Sequence, residues 1–253
     1  MAFIVYICRR LKLKLYETSF LKLSIWAFMV FVVPMQKSAR VMAFTQPKGV
    51  EFRYKSSYPD VYDWSVIEDE RVRNIIEQRI KEDCHLYTLT VFGDKSLFTK
   101  DPASIVKMPL EVDYINIYMD FDRLVKKSQI KYHDQLYLVS DSLITDEWNI
   151  SDTLDTIQGR TCYKATLKQN DRVRAWFDPE IAVNSAPFGY TGLPGLVVRI
   201  ELPFTYLELQ SIHTIEGDVR LAAPEKGTKM DNKSFMKMTN SNFKEFMKSH
   251  KKD

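Results

Sequence analysis

A chain of 253 residues, 45% hydrophobic and 27% charged, is long enough to bury a full core and suits one globular domain or two. Its formal charge of +3 sits at one end: residues 1–43 hold seven Lys/Arg against one Glu, and the other 29 basic and 32 acidic residues net −3. A body so close to neutral lacks the basic footprint of a nucleic-acid binder, and nucleic acid is excluded as a partner.

Residues 23–33, LSIWAFMVFVV, form an uncharged apolar run preceded by Lys22. That is the length of a signal-peptide core and too short to span a bilayer. Val41-Met42-Ala43 supplies small or apolar residues at −3 and −1. The expectation is a signal peptide over 1–43, cleavage after Ala43, and a single β-rich domain over 44–253. No Cys follows the run to take a lipid, so membrane contact is expected only through the leader. The destination is then the periplasm, the cell surface or the medium. The leader is long, with a second apolar patch at 1–8, which fits a translation start near Leu21 or Leu23.

Residues 49–57, GVEFRYKSS, alternate apolar and polar and predict a first strand. Ser65-Val66-Ile67-Glu68 matches a capping box, with Glu68, Asp69 and Glu70 in the first turn and Arg79 and Lys81 near the end. A helix is expected over 65–81, with Val72, Ile75, Ile76 and Ile80 as its apolar stripe. Residues 85–92 and 96–98 flank Gly93-Asp94 as a hairpin, and 101–109 read as a linker. Strands are expected at 114–119, 124–132 and 135–139, with short turns at 120–122 and 133–134. Trp148 and Ile150 begin a further strand. Residues 160–167 pair with 172–177, and 206–215 form a late strand. Residues 241–252 read as a short basic helix with Phe243, Phe246 and Met247 on one face. Many closely spaced strands with a helix near each end predict an α+β domain, mainly antiparallel β.

The richest stretch is 175–202, AWFDPEIAVNSAPFGYTGLPGLVVRIEL. Pro179 ends one strand, since it lacks a ladder N–H and holds Asp178 extended. The loop that follows is stiffened at Pro179, Pro187 and Pro194 and can take positive φ at Gly189, Gly192 and Gly195. Leu193-Pro194-Gly195-Leu196 fits a type II turn, with Gly195 at the position that needs φ > 0. Leu196, Val198, Ile200 and Leu202 then alternate with Val197, Arg199 and Glu201, the period of a half-buried strand.

AWFDPEI followed by GYTGLPGLVVRIE resembles the signature of the GLPGLI family, secreted bacterial proteins of unknown function. Gly159-Arg160-Thr161-Cys162-Tyr163-Lys164-Ala165-Thr166 resembles that family's Cys–Lys–Ala strand, and Phe92-Gly93-Asp94-Lys95-Ser96-Leu97-Phe98 its early hairpin. Ala182 and Ser185-Ala186 stand where family members tend to carry Pro and Asp-Gly. The resemblance implies a curved β bowl or half-barrel-like sheet. That shape is also met at the amino terminus of a secreted bacterial peptide:N-glycosidase and, more loosely, in periplasmic lipoprotein carriers.

Cys84 and Cys162 are the thiols left after processing; they can pair in an oxidising compartment or stay unpaired on buried strand faces, and the sequence leaves both open. His85, His133, His213 and His250 show no ligand spacing, and no nucleophile elbow or phosphate loop occurs, so no metal, no cofactor and no catalytic residue is expected. Asp152, Asp155, Asp178 and Glu180 could form a carboxylate pair for glycoside chemistry, but turn and capping roles suit them better. Trp176 and Phe177 are expected to pack on the sheet and pin the loop. Phe188 and Tyr190 are expected to line the mouth of the concave sheet and, with Trp176, to contact an apolar or sugar ligand. The resulting expectation is a secreted, non-enzymatic binding or accessory module for an apolar, glycan or protein ligand, an envelope protein among them. A cell-envelope hydrolase acting on glycan or peptide, and a structural envelope protein, are the alternatives.

Overall fold

The computed structural model describes residues 49–58, 68–108, 110, 112–203, 205–217 and 219–249, with side chains given up to residue 241. The predicted leader and its cleavage site lie outside these residues. In chain order the elements are β1 (Gly49–Ser57), α1 (Glu70–Glu82), β2 (Leu86–Phe92), β3 (Lys95–Lys100), β4 (Val112–Asp120), β5 (Val125–Tyr132) and β6 (Gln135–Ser142). There follow β7 (Trp148–Ile157), β8 (Arg160–Leu167), β9 (Arg174–Asp178), β10 (Leu196–Glu201), β11 (Tyr206–Ile215), β12 (Thr228–Asp231) and α2 (Asn232–Ser249).

The twelve strands of the described residues join one sheet in the order β12-β6-β5-β4-β3-β2-β1-β11-β10-β9-β8-β7. Each pairing is antiparallel except β12 with β6. The expected α+β, mainly antiparallel architecture is what forms, and the connections show why it is curved. β5 and β7 stand nine places apart in the order, about 40 Å in a flat sheet at ~4.8 Å per strand. Yet Lys126 of β5 bonds the Gly189 carbonyl at 2.9 Å while Trp148 of β7 bonds that of Thr191 at 2.8 Å. Residues 143–147 alone carry the chain from β6 to β7, a span of roughly 20 Å at most. The sheet therefore curls about the segment between β9 and β10 without closing.

The hairpin turns are those the twist of a sheet favours. His133-Asp134 and Gln158-Gly159 take left-handed φ at both positions, 45° and 61°, 50° and 75°. Alternating side chains, among them Phe52, Tyr54, Tyr87, Leu89, Phe98, Ile117, Met119, Phe177 and Leu196, fill the inside of the curl. Burying each contributes about 1.5–3 kcal/mol. Tyr54 is fully enclosed and its hydroxyl donates to the Val197 carbonyl at 2.8 Å. A smaller cluster outside this core joins Ile130, Tyr132 and Val139 to Phe235 of α2.

Several expectations need correction. α1 starts at Glu70 with Asp69 as its cap, accepting from the amides of Arg71 at 2.8 Å and Val72 at 3.3 Å. Ser65, Val66 and Ile67 lie outside the described residues. The apolar stripe of α1 buries nothing: Val72 and Ile75 remain 43% and 52% exposed. α2 begins at Asn232, not 241, because Asp231 accepts from the Ser234 amide at 2.9 Å and its hydroxyl at 2.7 Å. The side chains of Phe243, Phe246 and Met247 lie outside the described residues.

β10 does not alternate as a half-buried strand. A register shift between Val197 and Arg199 lets Leu196, Val197 and Val198 all bury completely. Cys84 and Cys162 are both free thiols. Cys84 bridges to Ile105 just before β2, while Cys162 lies in β8, and β1, β11, β10 and β9 stand between them. Burial pushes the Cys162 thiol up to about 11, so it is an inert core group.

Candidate functional site

The loop between β9 and β10 is built to stay put. Asp178 ends β9 buried, accepting from Arg160 at 3.0 Å and from the Glu180 amide at 2.9 Å. Further on, Ser185 bridges Thr191, and the Ala186 amide donates to the Tyr190 carbonyl at 2.9 Å, closing Pro187-Phe188-Gly189 into one tight turn. Thr191 is clamped by Asp146, whose carboxylate takes its amide at 2.9 Å. Desolvation lowers the pKa of Lys126 at the Gly189 carbonyl, with Asp146 and Asp141 partly restoring it.

Phe188 and Tyr190, expected to face a ligand, are half-buried and pack against the core. Phe188 takes a left-handed φ of 59°, an outlier for a bulky residue, which points its ring into the curl. There it meets Tyr87 at 5.5 Å, Phe98 at 5.1 Å and Tyr114 at 6.2 Å between ring centroids. The strain costs about 1–3 kcal/mol, and each ring pair returns about 0.5–1.5 beyond its burial. Tyr190 packs edge-on against Trp148 at 5.9 Å, and burial pushes its hydroxyl up to about 12. Trp176 is buried as expected, held by Asp155 at 2.7 Å and flanked by Lys164 and Arg199, so it is a framework residue.

The type II turn is also corrected. Gly195 is not at positive φ; Gly189 and Gly192 are, at 70° and 84°. What Gly195 needs is space. A Cβ there would sit inside contact with the Asp178 carbonyl oxygen and 2.9 Å from both its carbon and Pro179 Cα. Gly192 presses likewise on the Asp146 backbone, Leu193 is buried and Pro194 is exposed.

Among the described residues, two hollows lie along the loop's rim. One hollow of about 460 Å³ is lined by Val91, Gly93, Asp94, Phe121, Val183 and Asn184, with Ala182 and Ser185. A second of about 340 Å³ lies among Phe121, Thr145, Asn184, Thr191 and residues 192–194. They share Phe121 and Asn184. The β2–β3 and β4–β5 turns that form the outer wall are tied by the Phe121 amide on the Asp94 carbonyl at 2.8 Å. The carboxylate of Asp94 and the amide of Asn184 are exposed and bond to no described residue. Ser185, 2% exposed, has a hydroxyl with no partner. Residue by residue these look like ordinary turn and loop positions. Only the long-range meeting of two turns with the loop makes them a cleft.

The other concentration of titratable groups is structural. His85 and Asp83 are buried 2.8 Å apart, an ion-pair distance with neither ring nitrogen in an aligned hydrogen bond. Burial lowers the His85 pKa, opposed in part by Asp83. Desolvation works to raise Asp83, but the Met108 amide, the Tyr58 hydroxyl and the Lys107 amide outweigh it and hold it low. Acidification below about pH 6.5 is therefore expected to destabilise the protein, as unfolded His85 binds a proton that the folded ring refuses. More is lost in the carboxylate range, where Asp83 must be protonated. Melts between pH 7.5 and 5 should show the first loss and His85→Gln should flatten it; a parent whose Tm held constant to pH 5 would contradict the buried neutral ring.

The family model described as a protein of unknown function (Porph_ging) matches residues 150–199, from β7 through the loop into β10. No curated protein matches the chain. Two structures of PNGF-II, in the P21 and C2 space groups, are similar at 14% and 15% identity with TM-scores of 0.49 and 0.48. Each match covers 76% of this chain but only 33% and 32% of those chains, so this chain spans about a third of their length.

Proposed function

We propose that the protein is a secreted, non-enzymatic binding module of the GLPGLI type, working in the periplasm or at the cell surface, and that it holds its ligand in the rim cleft. The observation that carries this reading is the pair of adjoining hollows that share Phe121 and Asn184, where the exposed side chains of Asp94 and Asn184 bond to no described residue. Polar groups left unpaired in a concavity beside an aromatic wall are what a ligand site supplies. Two of the four candidate carboxylates are engaged otherwise: Asp155 holds Trp176, and Asp178 holds Arg160 and the Glu180 amide, while Asp152 and Glu180 are exposed outside both hollows. The apolar run at 23–33 with its small-residue cleavage site supports secretion. The matched span of 150–199 carries the whole signature loop and supports the GLPGLI reading.

Ala182 is exposed on the cleft wall, so Ala182→Arg should fill the hollow without touching the core. Small molecules carried by natively purified parent protein are expected to be missing from Ala182→Arg, by mass spectrometry, with Tm within a degree or two. Identical sets from both proteins would remove the cleft as the site.

A further inference from the structure

We propose that α1 is a dimerisation element, pairing antiparallel with α1 of a second copy of this chain, apolar stripe against apolar stripe. Helices of 13 residues are marginal in water and draw their stability from a packed apolar face. α1 has such a face, yet none of its residues is buried, and Val72 and Ile75 stand largely open. At about 3.6 residues per turn these two share a face with Arg79, whose aliphatic stem extends it. The patch does not end with the helix. Asp83, its C-cap, accepts from the Met108 amide at 2.9 Å and from that of Lys107, and the Lys107 ammonium lies 3.7 Å from Glu82. These ties hold residues 105–108 beside the last turn, where Ile105 and Val106 are 55% and 45% exposed. None of these residues lines the rim hollows.

The charges select the occupant. α1 carries four basic and three acidic side chains, too even a balance for docking on an anionic lipid surface. Their order is self-complementary. Glu82 follows Arg71 by eleven residues, about three turns, so both flank the stripe on the same side. In an antiparallel pair like flanks meet. A two-fold axis between residues 76 and 77 then sets Arg71 of each copy beside Glu82 of the other. The same axis leaves the two Ile75 side chains about 4.5 Å apart along the helices, close enough to touch. Arg71 is 93% exposed and free to make that contact. A parallel pair would set Arg71 on Arg71 and dipole beside like dipole. The contact is narrow. A helix about 20 Å long, with two linker side chains beside it, falls short of the ~800 Å² per partner of a tight interface, so the dimer should dissociate at roughly 10–100 µM.

Sedimentation equilibrium of the purified protein across that range measures the association. The parent is expected to pass from monomer to dimer, and amide hydrogen exchange in α1 should slow as the protein is concentrated. Ile75→Glu should stay monomeric with an unchanged Tm when dilute, because the stripe buries nothing in its own protomer. Arg71→Glu and Glu82→Arg should each weaken the dimer roughly tenfold, since each breaks two pairs. Mixing the two variants, or combining both changes in one chain, should restore it. A parent still monomeric at about 1 mM overturns the proposal. So does a dimer that Ile75→Glu leaves intact, which would use another surface. An Ile75→Glu protein that melts early as a dilute monomer would show the stripe covered from within its own chain, and would remove it as an interface. Restoration on mixing but not in the doubly substituted chain would make the pair parallel and overturn the antiparallel geometry.

Discussion

Phe188→Ala is expected to lower the unfolding free energy by about 3–5 kcal/mol, as much as a fully interior aromatic, although the residue sits in the middle of a long loop. Its ring is the contact through which the loop joins β2, β3 and β4, by way of Tyr87, Phe98 and Tyr114. Removing it leaves a void that these three rings can only partly fill. The left-handed φ of 59° adds a second test, because alanine keeps that strain and glycine does not. Phe188→Gly should therefore be about 1 kcal/mol more stable than Phe188→Ala, the reverse of the usual order in regular structure. Denaturant titration of the three proteins measures both quantities. A Phe188→Ala protein as stable as the parent would mean that the loop is not seated in the curl.

Gly195→Ala, Gly195→Asn and Gly195→Val are expected to cost alike, about 2–3 kcal/mol each, because all three place a Cβ against the Asp178–Pro179 backbone. A position that merely needs positive φ behaves differently. Gly159, at φ 75° with nothing within 4 Å of where a Cβ would stand, should accept asparagine almost freely and alanine for about 1 kcal/mol. The two positions together distinguish close approach from handedness. Asparagine tolerated at Gly195 but not valine would restore the type II turn.

The strands were largely legible because alternation and turn residues are local signals. β1, β8 and β11 have the ends that GVEFRYKSS, RTCYKATL and YLELQSIHTI suggest. β12 was missed since its only partner, β6, lies far off in sequence and pairs in parallel, leaving no turn to mark it. The Asp231–Ser234 cap of α2 was readable, but the polar run Thr239-Asn240-Ser241-Asn242 separates Phe235 and Met238 from Phe243 and hid the first half of the helix. At the candidate site the sequence located the loop and misjudged its direction. Pro187-Phe188-Gly189 advertises a stiff turn, but which way the ring points depends on a left-handed phenylalanine, and nothing local selects that. The Pro194-Gly195 pair has a similar ambiguity: glycine serves for handedness or for clearance, and only the packed strand end at Asp178 decides.

The position of β1 has a consequence for how the chain reaches this state. Gly49 pairs with Ile215 and Ser57 with Tyr206, while the other side of the same strand pairs with β2. The first strand is thus interior to the sheet, and one of its edges stays open until nearly the whole polypeptide is available. Pairings of that range close slowly, since the entropy of a long loop must be met before the contact returns anything. In the interval β1 and β2 form a hairpin-like unit with a bare hydrogen-bonding edge carrying Phe52 and Tyr54, a template for aggregation. Synthesis cannot finish this molecule piecemeal from its amino end. A holding factor, or passage through a membrane before folding begins, would shield that edge until β11 arrives.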